Sequence, residues 1–133
     1  AVATGVAGLS IEDSTGDSTS PLFAIDAAVT RLRAARAVID AAGGDVLLVG
    51  RAECFLVGQP DIDATITRLQ AYAAAGADVL YAPGIQQPEH IRAVVAAVRR
   101  TLQFVARHGD AVRAAGPGAT LSFDDAPAPD DAP

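Results

Sequence analysis

Two stretches of the chain carry residues able to do chemistry. In GLSIEDSTGD, residues 8–17, an apolar run stops at two adjacent carboxylates, Glu12 and Asp13. In DVLLVGRAECF, residues 45–55, a second apolar run stops at Arg51 and Glu53. Adjacent acids at the end of a strand form either a metal or substrate site or a plain polar turn. An acid pair facing an arginine suits a hydrated divalent cation beside an anionic substrate, because a guanidinium grips a carboxylate at two points. The simpler alternative is that Arg51 pairs with Glu12 or Glu53 and does nothing more.

Which reading gains depends on the elements that position these residues. Residues 5–11 form a short apolar run, and residues 21–42 a loop leading into a helix on which Ile25, Val29, Leu32 and Ile39 share one face while Arg31, Arg33 and Asp40 lie off it. Gly43-Gly44 ends that helix. Residues 45–50 are too short for a helix and read as a second strand. A second helix follows, with Asp61 or Asp63 as cap, Ile62, Ile66, Leu69 and Ala73 on its apolar face, and Gly76 at its end. Residues 78–84 give a third strand closed by Pro83-Gly84, and Pro88 opens a third helix lined by Ile91, Val94, Val95 and Val98, with Leu102 in register beyond them. Alternating short apolar strands and amphipathic helices predict an α/β fold built on a parallel sheet. In such folds chemistry sits beyond the C-terminal ends of the strands. Glu12-Asp13, Arg51/Glu53 and Pro83-Gly84 would then share one rim, which favours the functional reading.

Composition narrows the classes. The 133 residues suffice for one domain with a core. No apolar run is long enough to span a bilayer, and no basic segment precedes an apolar one at the start, so neither a membrane partner nor a secretion signal is expected. A net charge of -6 without a basic run argues against nucleic acid. The single cysteine, Cys54, fits a reducing, cytoplasmic setting and sits in an apolar run as packing rather than as a nucleophile. His90 and His108 are too far apart to suggest a transition-metal site, and His90 reads as a solvated surface residue. There is no lysine and no methionine, even at residue 1, as expected of a chain cut from something longer.

At the same residues the chain resembles a known family. GLSIEDSTGD followed by PLF, then LLVGRAECFLVG, then ITRLQAYAAAGADVLYAPGI, look like the isocitrate lyase/phosphoenolpyruvate mutase superfamily, and in particular its small bacterial phosphonomutase or isocitrate lyase-like members. The resemblance runs over about residues 4–98. It implies a (β/α)8 TIM-type barrel, of which three βα units, residues 1–100, are present, followed by a divergent Ala/Pro/Asp-rich tail at 101–133 that reads as disordered. It implies Mg²⁺, a small α-oxyacid, 2-hydroxy di- or tricarboxylate, or phosphonate substrate, an enolate-type intermediate, and a homo-oligomer in full-length members. Carried onto this chain, Glu12 would hold the Mg²⁺ through water, with Asp13 beside it at the start of the gating loop. Arg51 would grip the substrate, and Glu53 would be the second catalytic residue.

The chain also departs from the family pattern. Val49, Gly50 and Ala52 replace the usual Asn-Ala before and Thr after the arginine, although one subgroup carries the G-R-A-E form. The lyases' K-[KR]-C-G-H loop and the D-x-D aspartates are absent, and a frameshift or truncated gene would account for the tail. The expected function is therefore a Mg²⁺-dependent lyase or mutase, with C–C cleavage favoured over P–C rearrangement, and with the 133-residue chain inactive alone. The alternatives are a catalytically inactive barrel remnant and a small anion-binding α/β module.

Overall fold

The computed structural model describes residues 2–43 and 45–99. The expected boundary near residue 100, the tail at 101–133, Leu102 and His108 lie outside the described residues.

A turn of 3-10 helix, Val2–Thr4, leads into strand β1, Gly8–Glu12. Helix α1 spans Ile25–Ala41, strand β2 Leu47–Arg51, helix α2 Ile62–Ala74 and strand β3 Val79–Tyr81. A third helix, α3, occupies 88–99. The strands form one parallel sheet in the order β1-β2-β3, as the alternating pattern predicts. β3 is shorter than expected, because its ladder to β2 ends at the Arg51–Tyr81 pair, and Pro83 then lies in the turn that follows.

Side chains alternate across the sheet, and among the described residues only one face is covered. Leu48 and Gly50 of β2 are buried beneath the helices, with Leu9, Ile11 and Leu80 packed partly against the same core. That core joins Ala28, Val29, Leu32 and Ile39 of α1 to Leu69 and Tyr72 of α2. The opposite face carries Leu47, Val79 and Tyr81, which are exposed, in line with Glu12 and Arg51.

The helical stripes differ in detail from the expected ones. Ile25 is exposed and Ala28 buried. On α2 the buried line is Thr65, Leu69, Tyr72 and Ala73 rather than the Ile62/Ile66 line. On α3 Ala97 is buried and Val94 and Val98 are partly so, whereas Ile91 and Val95 are exposed. Asp61 is the α2 cap, its Oδ1 accepting from the Ala64 N–H at 2.9 Å.

Gly50 is where α2 approaches the sheet most closely. A Cβ there would lie 3.0 Å from the Tyr72 Cβ and 3.3 Å from the Ala77 Cβ. Both are stiff atoms at the root of their side chains, so Gly50→Ala must push α2 outward. We expect a loss of about 1–3 kcal/mol, read as a lowered urea midpoint. An unchanged midpoint would show that the helix is free to shift.

Candidate active site

The C-terminal ends of β1 and β2 bring the four expected residues together, but not in one role. The register pairs Glu12 with Arg51 and Arg51 with Tyr81, so these three residues form a row across the sheet on its uncovered face. Arg51 NH1 donates to Glu12 Oε1 at 2.6 Å. The guanidinium carbon lies 5.5 Å from the centre of the Tyr81 ring, within cation–π range. Arg51 Nε lies 2.8 Å from Glu53 Oε1 as a charge contact, although the N–H does not aim at the oxygen. Arg51 is thus held on three sides while its side chain stays 23% exposed.

The two adjacent acids part company. Glu12, the last residue of β1, keeps its side chain 44% exposed. Asp13, expected beside it as a metal ligand, is only 1% exposed and is committed to the interior. Its Oδ1 accepts from the Glu53 N–H at 2.8 Å, and its Oδ2 accepts from Arg68 NH1 at 3.0 Å and from the Tyr72 hydroxyl. Its carbonyl accepts from the Phe23 N–H at 2.8 Å. A buried carboxylate persists when its oxygens are satisfied in this way, and Asp13 fastens the end of β1 to the turn after β2 and to α2. Burial, followed by the bond to Asp13, pushes the Tyr72 hydroxyl far above its ordinary value, so it remains a neutral donor.

Glu53 is 2% exposed. Burial raises its carboxyl pKa; the nearby Arg51 charge opposes the shift but does not cancel it, and the Glu12 charge adds to it. The fold therefore binds a proton at Glu53 more readily than the unfolded chain does. The stability this contributes is complete at acid pH below the ordinary carboxylate pKa and is lost as pH rises through the raised value. Glu53→Gln should flatten that decline, measured as urea midpoints across the weakly acidic range. A decline of unchanged size would assign the pH dependence to another group.

Several supporting residues were not assigned this role from the sequence. Arg31, off the apolar stripe of α1, donates to the Glu12 carbonyl at 2.7 Å and lies 4.5 Å over the Phe23 ring. Arg68 also donates to the Phe23 carbonyl, at 3.0 Å. His90 is not a freely solvated residue: it is half-buried, and its ring meets Phe55 edge-on at 5.7 Å. Cys54 is buried, as its apolar setting implies. The loop after Asp13 closes on itself through the Ser14–Leu22 bridge and through Thr19 N–H and hydroxyl donors to Asp17 Oδ1, at 2.8 and 2.7 Å, which hold that carboxyl below its usual range.

Among the described residues no group of three or more His, Cys, Asp or Glu side chains could hold a metal ion. Glu12 fits the outer, water-mediated shell of a hydrated ion, whereas the inward commitment of Asp13 does not fit direct ligation. No helix among the described residues is long and apolar enough to cross a membrane.

Comparison with known proteins assigns the chain to a family. The model for phosphoenolpyruvate phosphomutase matches residues 1–119, which extends past the motifs quoted above. The chain belongs to the phosphoenolpyruvate phosphomutase family. An oxaloacetate decarboxylase from Paraburkholderia xenovorans (strain LB400) is 36% identical over 101 residues, covering 71% of this chain and 32% of that protein. A solved structure from Burkholderia cenocepacia J2315, assigned as a lyase/mutase, is 47% identical with a TM-score of 0.71, covering 74% of this chain and 35% of that one. The fold of 2,3-dimethylmalate lyase, a PEP mutase/isocitrate lyase superfamily member, superposes with a TM-score of 0.63 at 23% identity, over 94% of this chain and 56% of that one. The chain spans about a third of the length of the curated relatives it matches. Its three parallel strands and three helices are consistent with βα units of the superfamily barrel.

Proposed function

We propose that this chain carries part of the active site of a lyase or mutase that acts on a small α-oxyacid or hydroxy-carboxylate through an enolate-type intermediate. The observation that carries the reading is Arg51. It is a partly exposed guanidinium at a strand end, fixed by a buried carboxylate and an aromatic face, and it opens onto the uncovered side of the sheet. Such a group binds a substrate carboxylate at two points and lowers the energy of negative charge developing beside it. Glu53 orients Arg51, and Glu12 lies where a hydrated cation could be held. Magnesium, when bound, would supply a second positive charge close to the developing oxyanion. The decarboxylase name of the curated relatives favours breaking a C–C bond over rearranging a P–C bond.

On this reading the 133-residue chain has no measurable turnover by itself, because among the described residues nothing covers the sheet face bearing Arg51. The reading is tested by exchanging the matching segment of the Paraburkholderia decarboxylase for residues 2–99 of this chain. The chimera is assayed with Mg²⁺ on oxaloacetate, 2-methylisocitrate and phosphonopyruvate. A folded chimera that turns over one of these supports the proposal, and one that turns over none sinks it.

A further inference from the structure

Arg51 is arranged as an anion receptor, yet NH1, one of its two terminal nitrogens, is already in use. The two carboxylates that touch it differ in freedom. Glu53 is 2% exposed, and its backbone N–H is tied to Asp13, so it is fixed in place. Glu12 is 44% exposed on its side chain and reaches Arg51 NH1 at 2.6 Å. Its backbone is anchored separately, by Arg31 on its carbonyl, so the side chain can swing without disturbing the strand. An ion pair this open to water contributes little net free energy, which makes it exchangeable. A carboxylate on Arg51 NH1 nevertheless fills the position an incoming carboxylate would take.

We propose that Glu12 is a displaceable internal ligand of Arg51, standing in for the anionic substrate group and masking the receptor until exchanged. The proposal rests on the reading of Arg51 as the substrate-gripping cation, and it adds the regulation of that site. An external carboxylate or phosphonate that grips both terminal nitrogens must exchange with Glu12 at NH1, so its apparent affinity is reduced by the fraction of receptors Glu12 occupies. Any partner that draws the Glu12 carboxylate aside raises the affinity of Arg51 for anions, and the coupling is reciprocal.

The test titrates malonate, a small dicarboxylate, into the 133-residue chain in metal-free buffer. Binding is followed by calorimetry and by the Arg51 Nε–H resonance. Glu12→Gln removes the competing charge and should tighten malonate by about fivefold, the upper scale of one exposed ion pair. Glu12→Asp keeps the charge but withdraws it by one methylene, and should tighten malonate by about threefold. Arg51→Lys placed in the Glu12→Gln chain should abolish the gain, because an ammonium offers no two-point contact. If Glu12→Asp or Glu12→Gln binds malonate no more tightly than the unchanged chain, occupancy by Glu12 is wrong while the receptor reading of Arg51 stands. If malonate binds none of the variants, or binds the Arg51→Lys double variant as well as Glu12→Gln alone, both the occupancy and the receptor reading fail.

Discussion

Asp13→Ala is expected to remove most of the stability of the chain. The substitution removes an acceptor from three donors that Asp13 now satisfies: the Glu53 N–H, Arg68 NH1 and the Tyr72 hydroxyl. Arg68 would be the costliest, since its side chain is 15% exposed and Asp13 is the acid it pairs with at 3.0 Å. Removing one partner of a buried ion pair costs about 3–5 kcal/mol, against a total of roughly 5–15 kcal/mol for a whole domain. The matched control is Glu12→Ala, the neighbouring acid, whose pair with Arg51 is open to water and whose loss should cost less than about 1 kcal/mol. Urea denaturation of both variants makes the comparison. Equal costs would mean that the inward and outward acids are not structurally distinct. A large cost at Glu12 with a small one at Asp13 would reverse their roles.

The second large effect is on chemistry. In the decarboxylase chimera, Arg51→Ala should lower kcat/KM by about 10²–10³, the range for removing one preorganised donor to a developing oxyanion. Arg51→Lys should recover only part of that loss, since it restores the charge without the planar fork. Circular dichroism and a urea midpoint close to that of the unchanged chimera would assign the loss to the site rather than to folding. A kcat/KM for Arg51→Ala within a few-fold of the unchanged chimera would remove Arg51 from the substrate-binding role.

The rim was legible in the sequence because it follows from backbone periodicity. Short apolar runs ending in charge, separated by amphipathic helices, fix where the C-terminal strand ends lie, and Glu12, Arg51 and Glu53 followed from that. The division between Glu12 and Asp13 was not legible. Consecutive residues at a strand end point to opposite sides, but the sequence does not say which side is core until the helices are in place. The partners of Asp13 are remote, with Arg68 and Tyr72 lying 55 and 59 residues along the chain. On α2, Arg68 and Thr65 have the polar types of a solvated face, so helical periodicity placed the core on Ile62 and Ile66. One cue was present: Arg68 and Tyr72 are four residues apart and share a face with buried Leu69 and Thr65 beside them. A polar residue inside an otherwise apolar patch is usually a sign of a specific partner elsewhere. Tyr81 was missed because an aromatic residue at the end of a short strand looks like core, whereas here it is exposed and stacks on Arg51.

The row Glu12–Arg51–Tyr81 also bears on how the sheet finds its alignment. A shift of β2 by one residue relative to its neighbours turns every side chain to the other face. Arg51 would then be carried beneath α2, into the space that Gly50 leaves beside Tyr72 and Ala77, where a guanidinium has no room. Apolar residues alone specify this weakly, since Leu47, Leu48 and Val49 are nearly interchangeable in size and polarity. The charged end of the strand is not interchangeable. The residues proposed for chemistry therefore act as registration marks during assembly, and a misaligned sheet would lack an anion receptor and be unstable for the same reason.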